Sequence, residues 1–252
     1  MLLGACLCLC PCVATDGATP RAFVPGETLT FDLRWGYVGA GTAVLSVLPM
    51  ARLNGSDAYH FELTARTNET IDRIFKIRDR LESYADADMA HSLLFKQEIR
   101  EGEYRNDRVI TFDWKKGRLK CVSDENTPRY RPVMPGTFDL LAAFFYLRLQ
   151  PVMPSSQLEC PITDGKRNVI GKVNILRREK IEVQNKVYDT YVLEPLMDEV
   201  EVFNSNEESA IRLWVTADER RLPVRVESRL LLGYFSAELR NTEPLLQDSS
   251  KN

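Results

Sequence analysis

The sequence predicts an all-β, mainly antiparallel protein: a curved sheet or partly open β-barrel enclosing one buried α-helix at about 137–149. Three observations predict it. Short segments of alternating apolar and polar residues recur along most of the chain. Turn signals such as Asn54-Gly55, Lys115-Lys116-Gly117 and Asp164-Gly165 separate them. Only one stretch, TFDLLAAFFYLRL from Thr137 to Leu149, is strongly helical.

The elements follow in order. Glu27 to Trp35 alternates Leu29, Phe31, Leu33 and Trp35 against Thr28, Thr30, Asp32 and Arg34, the pattern of a half-buried strand. Gly36 to Gly41 turns the chain, its glycines serving a turn or bulge rather than a nucleotide loop. Thr42 to Leu48 returns, and Tyr59 to Ala65 is the next strand. Ile71 to Ser83 reads as one long strand. Leu93 to Glu101 pairs with Arg105 to Trp114 across Gly102, and Leu119 to Ser123 follows. After the helix, Gln157 to Ile162, Val169 to Leu176, Glu179 to Val183, Val187 to Glu194, Ser209 to Thr216, Pro223 to Leu232 and Tyr234 to Arg240 complete the set.

Within the helical stretch Thr137 is placed to cap, Asp139 falls in the first turn and Arg148 in the last. Apolar residues cover nearly the whole wheel, which marks a buried helix. The run is roughly half the ~20 residues that cross a bilayer. The helix is therefore expected to be core first and cavity wall second. Leu141, Phe144 and Phe145, with Trp35 and Trp214 on the strands, are the candidate cavity residues.

The chain has 252 residues and a net charge of −3. That length allows one large β domain, expected at 26–242. The near balance of charge gives no nucleic-acid footprint. Residues 1–14 resemble an export signal, with an apolar run, Pro11 and a small-residue site after which cleavage at Ala14 would fall. No Lys or Arg precedes Arg21. Leu3-Gly4-Ala5-Cys6 resembles a lipobox, so lipid anchoring at Cys6 stands as the less favoured alternative to soluble export. Residues 15–25 read as a flexible leader and 243–252 as a disordered tail. Removing the signal leaves Cys121 and Cys160, which are either a disulfide or two buried thiols.

No catalytic constellation emerges. There are two histidines, His60 and His91. The DADMAH segment ending in His91 reads as a polar turn rather than a metal site, and His60 falls on a solvated strand face. Asp198, Glu199, Glu201, Glu207 and Glu208 cluster as exposed acids do. There is no G-x-S-x-G elbow and no Walker or Rossmann glycine pattern. No catalytic residue, metal ligand or cofactor is assigned. Lys76, Arg78 and Arg80 line one strand face. They are candidates for an anionic partner, against a favoured reading as edge protection.

The chain resembles the exported bacterial family catalogued as domain of unknown function 3108, over roughly Phe23 to Asn241. The resemblance is carried by Leu33-Arg34-Trp35-Gly36 with Gly39 and Gly41, and by Phe138-Asp139-Leu140-Leu141 with Tyr146-Leu147-Arg148. Leu213-Trp214-Val215 with Asp218, Arg221-Leu222-Pro223-Val224, and Gly233 with Ala237-Glu238-Leu239 complete it. It implies an exported β protein of the Gram-negative envelope, with no known catalytic or binding residues. The expected architecture is similar to LolA/LolB-type lipoprotein carriers, a likeness of fold alone.

The function expected is non-enzymatic: a periplasmic protein binding or carrying an amphipathic, lipid-like envelope molecule, near the membrane without spanning it. The alternatives are a scaffold or interaction module that engages an envelope protein through a sheet edge or patch, and an enzyme with unrecognised carboxylate chemistry.

Overall fold

The computed structural model describes residues 22–123, 127–196, 211–230 and 233–242. The expected signal, Cys6, the acidic runs between 198 and 208 and the tail after 242 lie outside them.

The described strands form one sheet of fifteen. The first eight make an antiparallel meander: β1 (Thr28–Trp35), β2 (Val38–Leu53), β3 (Ser56–Thr67), β4 (Arg78–Asp86), β5 (Ser92–Glu101), β6 (Tyr104–Asp113), β7 (Arg118–Ser123) and β8 (Arg129–Pro132). A second meander runs through β10 (Ser156–Thr163), β11 (Asn168–Val183), β12 (Lys186–Leu196), β13 (Ile211–Thr216), β14 (Pro223–Leu230) and β15 (Gly233–Thr242). β15 returns to pair with β1, so the first and last strands join the two halves. At the far edge β9 (Phe138–Asp139) pairs in parallel with β10.

The sheet does not close by a continuous ladder, but it curls. Register shifts place extra residues, and so bulges, in β2, β5, β11 and β14, and a bulge bends a strand and strengthens its twist. One bulge places Ala40 between the pairs Leu33–Gly41 and Arg34–Gly39. Only glycine fits at Gly41, because a Cβ there would lie 2.0 Å from the Arg66 carbonyl oxygen. The curl brings the β9 edge against β5. The Ser92 amide donates to the Thr137 carbonyl (3.1 Å), and the Ser92 hydroxyl accepts from the Asp139 amide (2.9 Å).

Inside the curl lies α2 (Leu140–Leu149), packed on β3 and β4 to one side and β9 and β10 to the other. It starts later than expected. Thr137 is not its cap: the hydroxyl donates to the Met134 carbonyl, and Phe138–Asp139 are strand. Asp139 caps instead, its carboxylate accepting from the Leu141 and Ala142 amides at 3.0 Å each. The other carboxylate oxygen accepts from the Ser83 and Ser92 hydroxyls. The helix ends because Pro151 pushes Gln150 into extended backbone, with ψ 149°.

Two expectations are corrected here. Ile71 to Ser83 is not one strand. Asn68 caps a helical turn, α1 (Glu69–Asp72), by accepting from the Thr70 and Ile71 amides, and β4 begins only at Arg78. Nor does the leader extend to residue 25. Ala22 and Phe23 are buried, and the Phe23 ring meets Tyr59, Phe61 and Phe145 edge-on. These N-terminal residues are held by Arg148 at the end of α2. Its guanidinium donates to the Ala22 carbonyl and pairs with buried Glu27 at 2.7 Å. Burial pulls the Arg148 pKa down, and Glu27 opposes it.

Candidate functional site

Two apolar cavities stand out, one beside α2 and one at the end of the curl. The helix cavity has a volume of about 200 Å³. One wall is the face of α2 carrying Leu140, Phe144 and Leu147; the other is strand, including Ile162, Val173 and Leu193. Leu140 to Leu149 therefore divides into two faces. Leu141, Ala142 and Phe145 are in the packed core, and Phe145 stacks on Phe61. Phe144, one residue earlier, is only partly buried and lines the cavity.

The polar groups of this cavity sit in its wall as cations. The Arg148 guanidinium is committed to Glu27, Ala22 and the Arg220 carbonyl. Lys172 lies 3.7 Å from Glu159. Arg221 differs from both. Its backbone is left-handed (φ +44°), its Nε is buried without a hydrogen-bond partner among the described residues, and one terminal nitrogen donates to the Glu219 carbonyl. A buried donor without a partner costs free energy unless something accepts from it. Cys160 also lines the cavity, and burial pushes its thiol up to about 11.

The rim cleft is larger, about 440 Å³. It is lined by Leu33 and Trp35 with their cross-strand partners Ala237 and Phe235, by Val226 and Ile77, and by Ile71, Ile74 and Phe75 of the α1 segment. Trp35 stacks on Phe235, planes 4° apart.

The structure distributes the sequence candidates unevenly. Phe144 lines the helix cavity and Trp35 the rim cleft. Leu141 and Phe145 are core. Trp214 is buried outside both linings, its indole N–H donating to Glu179 Oε1 at 2.8 Å. The basic stripe is broken up. Arg78 pairs with Asp72, Arg80 pairs with Glu62 and Glu82, and Lys76 lies in the turn before β4 rather than on a strand. Cys121 and Cys160 are both free buried thiols, so the disulfide is not formed. Cys121 lies in β7 close to Gly165 and Ile110, and Cys160 lies in β10 opposite Gly171. Burial raises the pKa of Cys121 also.

Sequence reasoning missed Lys172, Arg221 and Cys160 as cavity residues, and Ile74, Phe75 and Phe235 at the rim. The exposed Ile74-Phe75 pair just after an Asn-capped turn was the available signal; nothing local marks the others.

Among the described residues no three His, Cys, Asp or Glu side chains gather as metal ligands. The DADMAH segment is a turn, with Asp86 accepting from the amides of Asp88, Ala90 and His91. His60 stacks on Tyr84 and contacts Glu82. The best-placed carboxyl pair is Asp79 with Glu101. Burial pushes both up, and the neighbouring Asp79 charge adds to the effect on Glu101. Neither lines either of these two cavities.

Fold and cavities together define a class: a barrel-like, mostly antiparallel β protein curled around one helix, with apolar cavities. Within that class the chain belongs to the family described as Protein of unknown function (DUF3108), whose model matches residues 30–240. Among solved structures it is similar to a beta-barrel-like protein of domain of unknown function DUF1849 from Brucella abortus. The TM-score is 0.54 and the identity 10%, with 86% of this chain and 96% of that chain covered. That likeness is one of fold. No curated protein matches the sequence.

Proposed function

We propose that this is an exported periplasmic protein that binds or carries an amphipathic, lipid-like envelope molecule without chemical conversion. The observation that carries the reading is the helix cavity: an apolar space beside Phe144, with Arg221 in its wall, whose buried Nε has no partner among the described residues. Binding sites for small amphiphiles are mostly apolar with a few placed polar groups. An acyl or isoprenoid chain suits the apolar wall, and an anionic head suits Arg221.

The scaffold reading has less support. The edge strand β8 carries Arg129, Arg131 and Pro132, features that discourage strand addition. The enzyme reading would rest on Asp79 and Glu101, which face neither cavity.

Titration with a fluorescent fatty acid tests the proposal. Saturable uptake by the wild type is expected, weakened by Arg221→Gln and by Phe144→Ala, with competition from lipid extracted with the native protein. No uptake, with native protein free of lipid by mass spectrometry, would overturn it.

A further inference from the structure

Of the connections that leave the sheet at one end, as alternate turns of an antiparallel meander do, four form a connected group. They are the β1–β2 turn, the α1 segment between β3 and β4, the β5–β6 turn, and the β14–β15 turn. They touch in series. The Gly36 amide donates to the Tyr234 carbonyl, linking the β1–β2 and β14–β15 turns. The Asn68 side chain donates to the Gly39 carbonyl and its amide to that of Ala40, linking α1 to the β1–β2 turn. The Gly102 amide donates to the Lys76 carbonyl, linking the β5–β6 turn to the α1 segment.

This continuous rim carries large apolar side chains in solvent. Tyr37 is 97% exposed, Ile74 72%, Tyr104 57% and Phe75 47%, with Trp35, Val38 and Tyr234 exposed beside them. The rim cleft opens among them. Cations are interleaved with the apolar groups: Arg34, Arg66, Arg73, Lys76 and Arg105. None of them is ion-paired among the described residues, Arg34 and Arg105 donating only to backbone carbonyls. Of the acids on the α1 segment and at the β5–β6 turn, Asp72 is taken up by Arg78, Glu101 is half-buried, and Glu69 and Glu103 are exposed. Among the described residues these four connections and the strand ends beside them thus carry more cations than acids, on a chain whose net charge is −3.

From this we infer that the rim docks on the surface of a bilayer containing anionic lipid, with the cleft opening toward the membrane. Tyrosine and tryptophan sit well at the headgroup level, where one end of the ring is wet and the other apolar. Arginine and lysine reach phosphates while their stems lie along apolar surface. Isolated side chains projecting from several turns suit a deformable lipid surface. The charge complementarity is local, since the chain as a whole would be repelled by the same membrane.

Vesicle co-sedimentation of the full mature chain tests this independently of ligand uptake. Phosphatidylcholine vesicles with about 30% phosphatidylglycerol should bind the protein, pure phosphatidylcholine should bind it weakly, and added salt should release it. The double variant Arg73→Glu/Lys76→Glu and the double variant Tyr37→Ser/Ile74→Ser should each lose about tenfold or more in partitioning. Val187→Ser, an exposed apolar residue away from the rim, should change nothing. All these side chains are exposed, so circular dichroism and denaturant midpoints should match the wild type. Partitioning that ignores lipid charge, or that survives both double variants, would overturn the inference. So would self-association abolished by the rim variants, seen by light scattering without vesicles, because the rim would then be a protein interface.

Discussion

The ring of Phe145 lies flat on that of Phe61, with centroids 3.9 Å apart and planes 10° from parallel. Its chain neighbour Phe144 meets it edge-on and looks into the helix cavity. Two adjacent phenylalanines therefore have separate jobs. Phe145→Ala removes a fully packed ring and should cost about 3–5 kcal/mol of stability. Phe144→Ala enlarges an existing space and should cost clearly less, while changing uptake of the apolar probe. Denaturant midpoints and probe titrations on both variants check this; equal losses of stability would mean the cavity wall is ordinary core.

The N-terminal residues are part of the fold. A chain beginning at Gly26 loses the buried Phe23 ring and should be less stable by about 3–5 kcal/mol than one beginning at Ala22. Glu27→Ala leaves the Arg148 charge buried without its carboxylate, and about 3–5 kcal/mol should again be lost. Urea unfolding of the three chains decides both points.

Cys160 should label slowly. With its thiol pushed up to about 11, alkylation of the native protein at pH 8 should run about tenfold or more slower than for an ordinary thiol, even allowing for the higher nucleophilicity of a high-pKa thiolate. The rate should keep climbing as pH rises above 9. Because the folded-state pKa is raised, the thiol's contribution to stability is full below about pH 9 and is lost as pH approaches 11. A bound amphiphile should shield Cys160 and leave Cys121 unaffected. Mass spectrometry after timed alkylation reads each site, and denatured protein should accept a label at both cysteines.

Glu101 should make stability fall as pH rises. Its pKa is raised by burial and by Asp79, so its contribution is full below the unfolded value near 4 and is lost as pH passes the folded value. Glu101→Gln should flatten that slope. A gain of up to about 1 kcal/mol is expected at pH 7, since solvent screens this half-exposed pair, with little change at pH 4. Thermal melts across pH 3–8 measure it.

Much of the fold is legible in local chemistry. Glu27 to Trp35 alternates so cleanly that β1 is found within a residue. Asn54-Gly55 is the hairpin turn that it announces, with φ of +51° and +88°. The α1 turn is harder to see, because four residues give no helical period and the alternation after Ile77 extends smoothly back through them. Asn68 decides it by accepting two amide hydrogens. The same competition moves the start of α2, where Phe138 and Asp139 pair with Ile162 and Thr163 before the helix can begin.

The sequence by itself determined the class: antiparallel strands from period-two alternation, one buried helix from a wheel apolar on all sides, and no familiar catalytic motif. The tertiary structure decided which side of each apolar residue is packed and which is empty. Phe144 and Phe145 are identical in chemistry, and only the position of Phe61 across the core separates them. The cations divide in the same way. Arg78 and Arg80 meet acids brought close by β3 and the α1 turn, while among the described residues Arg221 meets none at its buried Nε. Alternation records that a face is apolar, whereas a cavity depends on the distance to the opposite wall, and that distance is set by how bulges bend a sheet around its helix.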